Sequence, residues 1–442
     1  MSRFLFVVPP LVGHINPTVG VAAALTARGH AVAWVCPEPE LAGRLAGPGA
    51  TVFGCAGAAP GERPADLRGP EALKFLWEWY LLPLAEAMAP GVRAAVERFR
   101  PDVVIADQQA FAGAFTAERL GLPWATSATT SAEFTDPLAG LPKVREWLAE
   151  RLAGLRSALG DPPGGTDPRF SPHLVLAFST PELAGTAPGA VRWVGPSVAA
   201  RPDPSGFPWD RLDPGRSTVL VTLGTANTDV GGRFLDVCRS ALRERADRVQ
   251  AVLVDPGGTL SGGYGDATSG ADGRYDGGGR YGGGGRYGGG GRYGGGGRYG
   301  GGGRYGGGGR YGGGNSGDSG DKDVLVVPSV PQLALLERGV GAVVCHAGHN
   351  TVCEALWHGV PLVVAPIRDD QPVVAGQVVD AGAGVRVRFG RVTAQRLGDA
   401  VDAVLDDPAY GAAAARIRTA FRAAGGASAA ATHLTDLARE FG

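Results

Sequence analysis

The sequence predicts an α/β protein that contains two doubly wound domains, each built on a parallel sheet. The chain has 442 residues, and removing the 60 residues of a glycine-rich stretch (261–320) leaves 382, which suits two domains of ordinary size. Residues 3–35 and 341–367 each show an apolar strand, a helix and a second apolar strand. Strands that alternate with helices pair in parallel through right-handed crossovers, which favours one such sheet for each half of the chain.

Composition argues against several classes of protein. The formal net charge is −1; the seven Arg and four Asp of 261–320 give that stretch +3 and leave −4 for the remainder. The folded part therefore has no basic excess that would favour nucleic acid. The five cysteines form no Cys-x-x-Cys pair, and we interpret them as reduced core thiols of a cytoplasmic protein. No apolar run approaches the roughly 20 residues of a membrane span, and we expect no export signal.

The first strand–helix–strand unit begins with an apolar strand at residues 3–8. Asn16 suits the N-cap of the following helix, Pro17 suits its first position, and Gly29 suits its end. The connecting loop, residues 9–14, lacks the Gly-x-Gly-x-x-Gly spacing of dinucleotide sites. This argues against a nicotinamide or flavin enzyme.

His14 ends that loop, at the carboxyl end of a central strand. An imidazole there can take a proton from a hydroxyl near neutral pH, and a base of this kind needs a partner that fixes its tautomer. Asp107 is the candidate partner, because it follows a second apolar strand at 103–106 that should end at the same sheet edge. Taken alone, His14 is better explained as a loop histidine bonded to the backbone, and Asp107 as a cap for a helix that begins near Ala110; the family resemblance described below reverses both interpretations.

The second strand–helix–strand unit concentrates polar groups at a helix N-terminus. His346 follows a strand at 341–345, Gly348 permits a tight turn, and Asn350 and Thr351 lie in the first turn of the next helix. Unpaired N–H groups and the helix dipole make such a terminus attractive to a diphosphate.

Further polar groups continue this pattern. Glu354 lies on the same helix face as Asn350, one turn below, where a carboxylate can accept from ribose hydroxyls. Asp370 and Gln371 follow the next strand, 361–367, at the edge where open α/β sheets bind ligands. An acid beside an amide suits the hydroxyls of a hexose. The alternative is a buried β-α-β unit that merely has a polar rim.

Together these segments resemble the donor-binding signature of family 1 glycosyltransferases with the GT-B fold, of the bacterial natural-product type. Further stretches that resemble the family are 7–30, 193–196, 219–225 and 330–336. The resemblance implies that His14 is the general base and that Asp107 holds it. It implies donor contacts from the following residues: Thr225, Val330, Gln332, His346, Gly348, Asn350, Thr351, Glu354, Asp370 and Gln371.

The resemblance also implies an architecture and a reaction. Two Rossmann-like, doubly wound parallel-sheet domains would face each other across a cleft. The boundaries are an acceptor-binding domain at 1–200, a proline-rich linker at 201–216, a nucleotide-sugar domain at 217–411 and a final helix, 412–442, that packs back on the first domain. The expected reaction is inverting transfer of a sugar from a nucleotide-diphosphate cosubstrate to a small apolar acceptor, with no cofactor and no metal.

One departure from the family pattern leaves the donor base open. Many members have Trp or Phe before the Val-Pro-Gln motif, where it stacks on the nucleobase, whereas Ser329 occupies that position here. Such a stack contributes about 1–3 kcal/mol. The Asn350-Thr351 pair resembles that of UDP-sugar users, so uridine is favoured, and a thymidine-diphosphate deoxysugar is the rival.

Bulky apolar residues suggest where the acceptor binds. Trp77, Tyr80 and Phe134 are candidates for its wall, and the alternative is ordinary helix core. The 261–320 stretch repeats Arg-Tyr seven times, mostly separated by four glycines, and is interpreted as a neutral insertion between two strands. Two other functions remain open: a non-catalytic protein that binds sugar nucleotides, and a protein that binds RNA or self-associates through the repeat.

Overall fold

The computed structural model describes residues 1–58, 64, 67, 69–135, 140–159, 167–187, 191–199, 206–224, 227, 231–260 and 322–442. The predicted donor residue Thr225 and the repeat at 261–320 lie outside these residues.

The first domain is a parallel sheet with the strand order β3-β2-β1-β4-β5-β6-β7 among the described residues. Its elements are β1 (Arg3–Val7), α1 (Val12–Ala27), β2 (Ala31–Cys36), α2 (Pro39–Ala46), β3 (Thr51–Gly54), α3 (Gly69–Phe75), a π-helix (Leu76–Leu81), α4 (Leu82–Phe99), β4 (Val103–Asp107), α5 (Phe111–Leu120), β5 (Trp124–Ala128), a 3-10 turn (Ala132–Thr135), α6 (Pro142–Ala158), β6 (Leu174–Ala177), α7 (Pro181–Ala184) and β7 (Val191–Trp193).

The second domain has the order β10-β9-β8-β11-β12-β13, again within the described part of the chain. A 3-10 turn at Trp209–Arg211 precedes it. Its elements are β8 (Ser217–Thr222), α8 (Gly232–Arg243), β9 (Val249–Val254), β10 (Val324–Val327), α9 (Gln332–Glu337), β11 (Ala342–Cys345), α10 (His349–Trp357), β12 (Leu362–Val364), α11 (Gln371–Asp380), β13 (Gly384–Arg386), α12 (Ala394–Asp406), α13 (Pro408–Ala423) and α14 (Gly426–Phe441).

Both sheets are parallel and are buried on both faces, which explains why their strands are continuous apolar runs. In β1, for example, Phe4, Leu5 and Phe6 are at most 1% exposed, although successive side chains point to opposite faces. The prediction of two doubly wound α/β domains is confirmed. In each sheet the order reverses beside the first strand, β1 or β8, and this places the loops that follow the central strands at one edge.

The start of α1 differs from the prediction. The helix begins at Val12, so Asn16 is not its N-cap and Pro17 lies inside it. The carbonyl of Leu11 accepts bonds from the amides of His14 and Ile15, both at 3.0 Å, and this closes the first turn ahead of the proline. Pro17 then costs a single helix bond. His14 is therefore held by a helix and not by a loop.

The end of the chain is two helices, where one was predicted. Gly425 and Gly426 have φ of 86° and 56°, a left-handed backbone that ends α13 and redirects the chain into α14. The predicted boundary at residue 412 falls inside α13, which packs on α10 of the second domain. α14 packs against α1, and its Leu434 and Leu437 belong to the same apolar cluster as Leu25 and Phe6.

Candidate active site

The carboxyl end of the first sheet brings together two predicted catalytic side chains. Asp107 is the last residue of β4, which pairs in parallel with β1, and His14 lies in the first turn of the helix that follows β1. Their side chains meet, with His14 Nδ1 and Asp107 Oδ1 2.9 Å apart. Asp107 is fully buried, whereas the His14 side chain is 16% exposed. The pair therefore has one fixed member and one that reaches the surface of the site.

A threonine that sequence reasoning missed completes this pair. The Thr129 hydroxyl lies 3.0 Å from Asp107 Oδ2 and 2.8 Å from His14 Nδ1. It can donate to the carboxylate while it accepts from the imidazole N–H. Asp107 Oδ1 also accepts from the backbone amide of Gln109 at 2.8 Å. These bonds place the ring proton on Nδ1 and leave Nε2 as the nitrogen that can accept a proton.

The electrostatics of His14 are those of a base held by a carboxylate. Burial acts to lower the pKa of His14, but the charge and hydrogen bond of Asp107 outweigh it, and Asp370 adds to their effect. The net result is a pKa raised above the ordinary 6.5. Asp370 belongs to the second domain, and Thr130, which follows the Thr129 that contacts His14, donates a hydrogen bond to it. The predicted base and the predicted sugar-binding acid thus share one region.

In the second domain, His346 follows β11 and is packed between two glycines. A Cβ on Gly224 would lie 2.8 Å from its Cε1, and a Cβ on Gly348 would collide with its Nε2. Burial lowers the pKa of His346 to about 4, so the ring is neutral. Its Nδ1 is buried without a hydrogen-bond partner among the described residues. A neutral imidazole with an unpaired nitrogen is suited to a ligand oxygen.

The role of Gly348 differs from the predicted one. The left-handed residue of this turn is Ala347, with φ of 64°, whereas Gly348 has φ of −63° and precedes the first helical residue. Gly348 is therefore needed for space, because a side chain would displace the His346 ring, and not for backbone freedom.

The α10 helix presents the predicted ribose and phosphate residues on one side. Gln332 Nε2 donates to Glu354 Oε2 at 2.6 Å, so two residues predicted to bind the donor contact each other. Thr351 and Glu354 are buried, and Asn350 and Glu354 line a cavity beside Pro196 and Ser197. Val330 is half-buried, against the core of the second domain.

Asp370 is bound to the first domain. Thr130 Oγ1 donates to Asp370 Oδ2 at 2.7 Å, and burial raises the pKa of this carboxyl. The side chain of Gln371 turns back, and its Oε1 accepts from the amides of Ile367 and Arg368 at 3.0 and 3.1 Å. Asp370 thus contacts the first domain, whereas Gln371 stabilises its own loop.

A second cluster links the domains and was not predicted. Ser131 Oγ donates to Gln377 Oε1 at 2.6 Å and lies 3.2 Å from His349 Nδ1. His349 Nε2 lies 3.3 Å from the carbonyl oxygen of Phe178, and burial lowers the pKa of this histidine to about 4. The cluster holds the first turn of α10 against the first domain. The only indication of this cluster in the sequence was His349, which directly precedes the Asn350-Thr351 pair.

The predicted acceptor residues lie in different surroundings. Trp77 is 3% exposed and stacks on Phe111 at 5.4 Å, and Phe134 packs edge-on against Trp193 at 5.3 Å, so both are core residues. Tyr80 lies in the π-helix, and its buried hydroxyl has no partner among the described residues. Burial and the nearby Asp107 raise the pKa of Tyr80. Of the three, Tyr80 alone has a buried polar group that the described residues leave without a partner.

Comparison with known proteins finds similarity to glycosyltransferases. Residues 310–422 match the family described as UDP-glucoronosyl and UDP-glucosyl transferase, and residues 15–159 match a glycosyl transferase 4-like domain. The chain is 28% identical to demethyllactenocin mycarosyltransferase of Streptomyces fradiae, over 98% of this chain and 85% of that protein. Both family models and this relative are glycosyltransferases, and the chain is similar to family 1 glycosyltransferases of the natural-product type.

Solved structures share the fold over the whole chain. The glycosyltransferase of kitacinnamycin superimposes with a TM-score of 0.70 at 24% identity, covering 99% of this chain and 98% of that one. The spinosyn rhamnosyltransferase SpnG, solved with thymidine diphosphate, gives 0.66 at 22% identity, with 98% and 100% covered. Among the helices of the described residues, none combines the length and apolar character that a membrane crossing requires.

Proposed function

We propose that this glycosyltransferase moves a sugar from a nucleoside diphosphate donor to a hydroxyl of a small apolar natural-product acceptor, with inversion at the anomeric carbon. The contact between His14 and Asp107, 2.9 Å long and close enough to Asp370 for their charges to interact, is the observation that carries the proposal. This contact favours a catalytic base on the first domain that faces a sugar bound by the second domain.

The proposed step is a single displacement. Nε2 of His14 takes the proton of the acceptor hydroxyl, and the oxygen attacks the anomeric carbon as its bond to the diphosphate oxygen breaks. The electron pair of that bond leaves with the nucleoside diphosphate. Asp107 stabilises the imidazolium that forms, and Thr129 holds the carboxylate in place. Attack from the face opposite the leaving group inverts the anomeric centre.

The departing diphosphate has a site at the start of α10. The N–H groups of its first turn, with Asn350 and Thr351, form an anion site at the helix N-terminus, and His346 adds a neutral ring with an unpaired nitrogen. This arrangement supports a mechanism that requires no metal, and we expect transfer to continue in the presence of EDTA. A rate that fell with EDTA and returned with a divalent cation would contradict that expectation.

Substitution of the base tests the function directly. We expect His14→Ala to abolish transfer, because general base catalysis contributes about 10²- to 10⁴-fold and burial lowers the pKa of His346 and His349 to about 4, which makes both weak bases. Donor affinity, measured by calorimetry, should stay close to that of the wild type. His173→Ala is the matched control, since His173 is exposed on the same domain. Transfer that persists in His14→Ala would refute the assigned base, and absence of turnover in the wild type with every acceptor would favour a non-catalytic sugar-nucleotide-binding protein.

Two donor bases are open. UDP-sugars are favoured by the Asn350-Thr351 pair. Ser329, in place of an aromatic residue, leaves the base open, and the thymidine diphosphate bound to SpnG supports thymidine-diphosphate sugars. Thermal-shift measurements against matched UDP- and dTDP-sugars decide between them, because a ligand that binds only the folded state raises the melting temperature. A larger shift with dTDP-sugars would overturn the preference for UDP.

A further inference from the structure

A hydrogen bond between two loops crosses the carboxyl edge of the second sheet. In the second sheet, β11 lies between β8 and β12. Asn227 belongs to the loop after β8, Arg368 follows β12, and Arg368 Nε donates to Asn227 Oδ1 at 3.0 Å. The arginine side chain therefore reaches across the carboxyl end of β11, which is where His346 lies.

Both ends of this bridge are fixed. Asn227 is 1% exposed, and its Nδ2 donates to the carbonyl of Leu223 at 2.9 Å. It lines a cavity together with Gly224, the residue against which the His346 ring packs. At the other end, the amide of Arg368 donates to Gln371 Oε1 at 3.1 Å. An arginine that is held from both sides loses little conformational entropy when it binds a ligand.

The guanidinium of Arg368 carries a full positive charge, whereas the N–H groups at the start of α10 carry only partial positive charges. Burial, with a smaller contribution from the charge of Arg368, lowers the pKa of His346 to about 4, and the bond to Asn227 holds the guanidinium across the end of β11. His346 is thus neutral, and the start of α10 supplies only N–H groups and a dipole of about half a charge. A diphosphate carries more negative charge than these groups balance, and a guanidinium matches phosphate oxygens in geometry as well as in charge.

We propose that Arg368 binds the diphosphate of the donor and stabilises the negative charge that builds on it as the bond to the sugar breaks. The inference rests on the proposed function, because it assigns the leaving group of that reaction. It adds a side chain from the loop before Asp370 to the set of donor residues.

The chemistry gives the expected size of the effect. As the anomeric carbon separates from the diphosphate oxygen, the electron pair of that bond stays on the oxygen, so a positive group beside it binds the transition state better than the intact donor. Arg368→Gln should lower kcat/KM about 10- to 100-fold, the range for loss of a hydrogen bond to a charged group. Arg368→Lys keeps the charge but loses the planar guanidinium, so its kcat/KM should lie between those of the wild type and Arg368→Gln.

Comparing nucleoside diphosphates with monophosphates distinguishes a direct contact of Arg368 with the diphosphate from a purely structural role. Binding of UDP, UMP, dTDP and dTMP is measured by calorimetry for the wild type, Arg368→Gln, Asn227→Ala and the control Arg386→Gln, in which an exposed arginine at the end of β13 is changed. We expect Arg368→Gln to weaken the preferred diphosphate at least tenfold and the matching monophosphate much less. The loss should also shrink as salt is added, because an ionic contact is screened. Asn227→Ala should show the same pattern to a smaller degree.

The outcomes distinguish the two proposals. If Arg368→Gln weakens diphosphate and monophosphate binding equally, Arg368 only supports the loop at Asn227. If diphosphate binding is unchanged, Arg368 does not contact the ligand. Either result overturns the inference about Arg368 but leaves the proposed glycosyltransferase function unaffected. If the wild type binds neither diphosphate, the proposed function fails and the inference fails with it. Diphosphate-selective loss in Arg368→Gln, with Arg386→Gln like the wild type, supports it.

Discussion

Replacing Asp107 by Asn tests whether the carboxylate does more than hold its neighbour. The two side chains are nearly equal in size, so Asn can keep the contact to His14 at 2.9 Å while it removes the negative charge. Asp107 is fully buried, and the lost charge is therefore poorly replaced by solvent. The substitution isolates the electrostatic contribution of the carboxylate to a base that becomes positively charged during the reaction.

The structure sets an upper limit for the effect. Charges about 4 Å apart in an effective dielectric of about 20 interact by about 4 kcal/mol. At about 1.36 kcal/mol for each factor of ten, losing all of this in the transition state would slow the reaction about 10³-fold. Because the proton is only partly transferred at that point, we expect Asp107→Asn to lower kcat by about 10²- to 10³-fold, within the range of general base catalysis.

The pH dependence of kcat/KM shows in which direction Asp107 shifts the pKa of His14. A base acts when it is unprotonated, so kcat/KM of the wild type should rise with pH through the pKa of His14, which Asp107 raises above 6.5. Without the carboxylate, burial continues to lower the pKa of His14, and the acidic limb of the profile should move to lower pH. The assay is the initial rate of glycoside formation over a pH series at low donor concentration. A variant with wild-type kcat, or with its acidic limb at the wild-type position, would refute the reasoning.

Three further substitutions test other parts of the structure. Gly348→Ala should displace the His346 ring and weaken nucleoside diphosphate binding at least tenfold in calorimetry; unchanged affinity would mean that the ring is not a ligand contact. Trp77→Ala should cost about 3–5 kcal/mol of unfolding free energy in denaturant titrations, because a buried indole stacked on Phe111 is lost; near-normal stability with a raised acceptor KM would instead return Trp77 to the acceptor wall. Ser131→Ala breaks two contacts to the second domain and should cost about 1–3 kcal/mol; an unchanged melting temperature would show that this cluster does not hold the domains together.

The fold and the helix that carries Asn350, Thr351 and Glu354 could be predicted because their signals are local. Strands buried on both faces are continuous apolar runs, and the spacing of Asn350, Thr351 and Glu354 fixes them to one helix whatever surrounds it. The start of α1 was mispredicted for a local reason too. Asn16 and Pro17 have the composition of a helix start, but the bonds to the Leu11 carbonyl close a turn earlier, and no sequence rule reveals that.

The remaining parts of the site depend on contacts between distant segments. Thr130 and Asp370 are 240 positions apart, and Asn227 and Arg368 are 141 positions apart. A threonine or an asparagine in a loop has many possible partners, and its own neighbours in the sequence do not select one. Trp77 shows the converse difficulty, because a large apolar side chain suits both a binding wall and a core until its burial is known.

The helix α14 has a consequence for engineering by domain exchange. It is the last element of the chain, yet it lies on α1, and its apolar side chains fill the same cluster as those of β1. A fragment that stops after β7 would lack these side chains and expose the face they cover. Hybrid enzymes that join the amino-terminal half of one parent to the second domain of another should therefore take residues 426–441 from the parent of the amino-terminal half, so that the apolar faces of α14 and α1 still match.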